Sequence, residues 1–134
     1  MKKILPFLLF MLSTFLLVGC GGNVKNVEIA EYDSEIYSHE EIDDAMEAAM
    51  AYFKKEFSGC TLRELKYIGD EQLSGYEEFA LRIHARDVIV LVSTFEVDSS
   101  GGDGSLNPNS TYTNWKWILG LGADGRWQHI DHGY

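Results

Sequence analysis

Val88-Ile89-Val90-Leu91-Val92 is the run that leaves this chain the fewest ways to fold. Side chains alternate between the two faces of a strand, so a segment that is apolar at every position calls for cover on both sides. Continued through Thr94-Phe95-Glu96-Val97, it predicts a central strand over 88–97, with the sheet built around it.

The flanking segments supply partners for that strand. Asp98 to Ser110 consists almost wholly of Ser, Gly, Asp, Asn and Pro, which reads as a long loop. Tyr112 to Leu121 returns to alternation, with Trp115, Trp117, Leu119 and Leu121 on one side and Asn114, Lys116 and Ile118 on the other. The Asp124-Gly125 dipeptide turns it into an antiparallel hairpin with 126–131.

Upstream, Ser38-His39-Glu40-Glu41 has the form of a capping box. Behind it Ile42, Met46, Ala49, Met50, Phe53 and Phe57 recur at helical spacing, opposite Asp43, Asp44, Glu47, Lys54 and Lys55. Lys54, Lys55 and Gly59 provide the stop, so a helix is expected over 39–58. Its polar face is acidic rather than basic, which favours a core-facing helix over a membrane or partner helix. Thr61 to Ile68 is a short β-prone run. From Glu71 to Ala85 the apolar residues fit a helix or a strand; length and glutamate content favour the helix. The expected fold is α+β, with two helices on one face of a roughly four-stranded, mainly antiparallel sheet in the order α-β-α-β-β-β. That order is loosely similar to cystatin-like and nuclear-transport-factor-like folds, an analogy that carries no function.

The amino terminus has a different character. Lys2 and Lys3 precede the apolar segment from Ile4 to Phe15 and then small residues, the order of a secretory signal. The apolar run is shorter than the roughly 20 residues a membrane-spanning helix needs. Leu17-Val18-Gly19-Cys20 resembles the lipobox of bacterial lipoproteins. The resemblance implies that the Cys20 thiol takes a diacylglyceryl group and that the leader, 1–19, is then removed. Two acyl chains make the attachment stable, where one would bind only marginally.

Cleavage leaves 134 minus 19, or 115 residues, enough for one core. We divide them into an acidic flexible tether, 20–37, in which Val27, Ile29 and Tyr32 offer at most an edge strand, and one domain, 38–134. Eleven basic residues less Lys2 and Lys3, set against 21 acidic ones, give a mature charge of −12. Such a chain is a poor partner for nucleic acid or anionic lipid. With Cys20 acylated, Cys60 is a lone thiol and reads as a small buried hydrophobe.

The run from Val88 to Tyr112, the segment Asn114-Trp115-Lys116-Trp117-Ile118-Leu119 and the closing Arg126-Trp127-Gln128-His129-Ile130-Asp131-His132-Gly133-Tyr134 together carry a wider likeness. They resemble small, uncharacterised lipoproteins of Gram-positive bacteria, grouped as a domain of unknown function. The resemblance implies an exported protein, lipid-anchored to the outer face of the cell membrane. It implies no activity, cofactor or catalytic residue.

Candidate chemistry comes from three places. The loop offers Asp98, Asp103, Ser105, Asn107 and Asn109; from Asp103 the spacing matches three EF-hand ligands, then fails at Pro108 and Asn114. A polar turn with Asx caps accounts for it better. His129, Asp131 and His132 form a titratable cluster, but in a strand the two histidines face opposite ways and no third ligand is spaced for a metal. Trp115 and Trp117 share a face, as core filling or as a recognition strip. The expectation is a non-enzymatic binding or accessory module without cofactor, using Trp115, Trp117, Asp98 and Asp103 for a protein, peptide or glycan partner. The alternative is a metal-dependent enzyme or metal-binding module using the acidic loop or the C-terminal histidines.

Overall fold

Ser38 Oγ accepts the Glu41 amide at 3.1 Å, and the Glu41 carboxylate accepts the Ser38 amide at 3.1 Å. This reciprocal cap satisfies two donors that a helix start otherwise leaves bare, and it opens α1 (His39–Glu56). The computed structural model describes residues 21–134; the leader and Cys20 lie outside the described residues. Along α1, Ile42, Ala45, Met46, Ala49 and Phe53 are buried, and Phe57 follows them just past the end. Gly59, at φ +76°, lets the chain leave the helix in a conformation that a side chain would disfavour.

The strands are β1 (Glu28–Ile29), β2 (Cys60–Tyr67), β3 (Val88–Val97), β4 (Thr111–Leu121) and β5 (Trp127–Gly133), adjacent in chain order. β1 runs parallel to β2, and every other pair is antiparallel. The class is α+β as expected, but the sheet is mixed and has five strands. The parallel pair is possible because α1 carries the chain back across the sheet between β1 and β2. β3 is the centre: Val88 through Ser93 are all buried. The β4–β5 hairpin forms, closed by the Gly122 amide on Arg126 O at 2.9 Å, with Gly125 at φ +80° in a turn longer than the expected dipeptide.

Cover on the two faces comes from different elements. Tyr67, Leu65, Leu91, Phe95 and Trp117 share the face under α1. On the reverse side, Val88, Val90, Val92 and Ile118 meet the segment after β2, which is a short α2 (Asp70–Leu73) followed by a 3-10 helix (Ser74–Ile83). Arg82 Nη1 reaches Asp131 there at 2.8 Å. The expectation of two helices on one face is therefore corrected: among the described residues α1 and the 3-10 segment do not approach each other. The apolar run 88–92 in β3 explains why, since one layer of helix would have left its other face in water. The helical reading of 71–85 holds against the strand reading, in a tighter form. Leu73, Tyr76 and Phe79 recur every three residues, the period at which a 3-10 helix aligns side chains, and Arg82 continues the row with its guanidinium 4.3 Å from the Phe79 ring.

Residues 21–37, expected as a flexible tether, lie along the domain instead. Asn23 bridges Thr61, β1 pairs with β2, and Ala30 donates to Leu65 O at 3.1 Å. The Asp70 carboxylate accepts from Ser34 Oγ at 2.7 Å, Tyr67 Oη at 2.6 Å and the Glu35 amide at 2.8 Å, which holds its carboxyl below the usual range. The polar composition that suggests disorder is here a set of partners for one buttressing carboxylate.

Candidate functional site

A cavity of about 350 Å³ opens where the last turn of α1 meets the 98–110 loop and the ends of β4 and β5. The helix end supplies Tyr52, Glu56, Phe57 and Ser58 to its wall. Asp103, Ser105 and Leu106 come from the loop, and Trp115 and His132 from the strands. Leu106 packs against the core, and the Asn107 amide donates to Tyr112 Oη at 3.0 Å, so the loop is fastened over this end. The Asp98 carboxylate accepts from Ser100, whose amide is 2.8 Å away, and Asp103 accepts the Ser105 amide at 3.0 Å. Both carboxyls sit below their usual range for that reason. These are Asx caps within a polar turn, so the loop's oxygens serve its own shape.

Of the expected binding residues, the structure brings Trp115 and Asp103 to this cavity and leaves two outside it. Trp117 is 1% exposed, its indole N–H donating to Ser93 Oγ at 2.8 Å, so it is core. Asp98 lies beside Gly59 and Cys60, where β3 ends and β2 begins. Trp115 is half-buried, and its Nε1 is shut from water with no acceptor among the described residues.

The histidines are the larger correction. His129 pairs with Leu119 and His132 with Trp117, whereas Asp131 pairs with Ile118, so Ile130 is an extra residue in β5. This bulge resets the alternation and puts both histidines on the α1 face. His129 Nε2 and His132 Nδ1 stand 2.9 Å apart, and Tyr52 stacks on the His129 ring at 3.7 Å and 5°. Among the described residues no three His, Cys, Asp or Glu side chains converge as metal ligands. Tyr52, Glu56, Phe57 and Leu106 are wall residues that the sequence reading leaves out. Tyr52 and Glu56, four apart at the border of the polar face, are the pattern that points to them.

Burial lowers both histidine pKa values from the ordinary 6.5; proximity of His132 adds to this for His129, while Asp131 opposes it for both rings and Glu56 for His129. A depressed histidine pKa means that the unfolded chain binds protons more readily than the folded one. The pair's contribution to stability is therefore fully present above the unfolded value and is lost as pH falls through the folded values. Two protonated rings would also oppose N–H to N–H across the short contact. Urea midpoints should fall on acidification below about pH 6.5, ahead of any loss from carboxylate protonation, and a His129→Gln/His132→Gln variant should flatten that limb. A variant that keeps the full slope would assign it to other groups.

Cys60 is 2% exposed at the start of β2, and burial first, then Asp98 and Asp103, push its thiol up to about 11. It is protonated at neutral pH and packs as the small hydrophobe expected.

Comparison with protein-family models, with curated proteins and with solved structures found no match for this chain.

Proposed function

We propose that this chain is an exported, lipid-anchored binding module that holds a small ligand in the cavity at the end of α1. The observation that carries the reading is that this cavity and the start of the described chain share one end of the domain. The Gly22 amide donates to Lys54 O at 2.9 Å, and a Cβ at Gly22 would stand 2.5 Å from Phe53 O and 2.9 Å from Phe57 O. Phe57 is itself a wall of the cavity. With a diacylglyceryl group on Cys20, the residue before Gly21, the cavity would open on the membrane-facing end of the domain. Ring walls with a few placed polar groups are the usual make-up of a small-ligand site.

A metal-dependent activity draws less support, because Asp98 and Asp103 turn their oxygens back on their own loop. The module reading asks for no reaction at the site. Cys20→Ala in the native host is expected to move most of the protein from the membrane fraction to the soluble or released fraction, while mass spectrometry of the parent shows an acylated Cys20 as first residue. Retention of Cys20→Ala in the membrane fraction would refute the anchor.

A further inference from the structure

Resting on the cavity reading above, we propose that the ligand is a small alkylammonium cation, held between the rings of Tyr52, Phe57 and Trp115 and the carboxylate of Glu56. Charge selects the sign. Among the described residues no lysine or arginine lines this cavity. Among the described residues the ion pairs are Arg63–Glu96 and Arg82–Asp131, and neither involves Glu56 or Asp103. The whole chain carries −10, so an anion meets repulsion at the site and at long range, while a cation is drawn in.

The rings select the kind of cation. Alkylammonium groups are attracted to aromatic faces by the ring quadrupole, and several rings around one site exclude strongly hydrated metal ions in favour of weakly hydrated organic ones. Here the rings are held in place before any ligand arrives. Tyr52 is fixed by its stack on His129, and Phe57 stands at 78° to Trp115 with centroids 6.3 Å apart. Burial lowers the His132 pKa, which disfavours a positive charge on this part of the wall. A neutral sugar finds hydroxyl acceptors in the same wall but leaves the Glu56 charge uncompensated, which a cation does not. The buried Trp115 Nε1 is out of reach of any ligand as the ring stands.

The test is a titration of the full domain, followed by tryptophan fluorescence and by protein NMR shifts, with three probes. These are choline, its uncharged isostere 3,3-dimethylbutan-1-ol, and glucose. Choline is expected to bind at least about tenfold more tightly than the isostere, with shifts at Tyr52, Phe57 and Trp115. Glu56→Gln, a change at an exposed residue, should weaken choline severalfold and leave the isostere unchanged. Trp115→Ala should remove both. Equal binding of choline and the isostere, or a Glu56→Gln variant that binds choline as the parent does, overturns the cation. Binding of glucose in preference to choline overturns it in favour of a glycan while keeping the cavity. No shift at cavity residues with any of the three overturns both the cation and the cavity reading.

Discussion

Trp117→Ala is expected to cost about 3–5 kcal/mol of folding stability, the range for removing a large aromatic ring from a packed core. The ring is 1% exposed and sits among Tyr52, Phe53 and Phe57, with centroid distances of 6.1, 6.0 and 5.0 Å. All three of those residues belong to α1 or its end, so the indole is the main block joining the helix to β4. Its Nε1 donates to Ser93 Oγ, which in turn donates to the carbonyl of Trp115 at 3.0 Å. Trp117→Phe separates the two parts, keeping most of the ring and losing the N–H, and should cost about 1–2 kcal/mol. Denaturant midpoints read both. Because small domains are stable by about 5–15 kcal/mol, the alanine variant should also show a large fall in melting temperature. A loss under about 1 kcal/mol would place the indole at a surface, where the sequence alone also allows it.

How far the sequence is legible follows from the range over which each signal acts. The capping box, the apolar stripe of α1 and the two tryptophans on one side of β4 are local patterns of three or four residues, and each reappears in the fold. Trp115 and Trp117 share a face, yet one lines a cavity and the other is core. That difference depends on where the 98–110 loop lands, which alternation along a strand does not encode. The histidines are misjudged because one bulged residue, Ile130, reverses the facing of everything beyond it, and nothing in His129-Ile130-Asp131-His132 marks the irregularity. Residues 21–37 read as tether because their bonds are long-range. Ser34 and Glu35 meet Asp70 some 35 positions away, and such pairing leaves no periodic trace. The apolar run 88–92 already demands cover on both faces; placing both helices on one side overrules that demand in favour of a familiar layered arrangement.

The reverse face supplies the second large effect. Gly120→Val is expected to destabilise the protein by about 1–3 kcal/mol, the range for overfilling a close-packed site. Strand propensity alone gives the opposite sign, since valine is preferred over glycine in a strand by up to about 1 kcal/mol. Gly120 lies in β4 opposite Val88, and a Cβ there would meet Ile130 Cδ1 at 2.7 Å, Ala85 Cβ at 2.9 Å and Ile83 Cδ1 at 2.9 Å. Two of those neighbours lie at the end of the 3-10 segment or just beyond it, so the sign of the change reports whether that segment covers this face. Ile83→Ala alone should be mildly destabilising, because it opens a small space against the sheet. Combined with Gly120→Val it should cost less than the sum of the two, since the shortened side chain makes room for the new one. Strict additivity, or a Gly120→Val protein more stable than the parent, would mean that the reverse face is open and that β3 finds its second layer elsewhere.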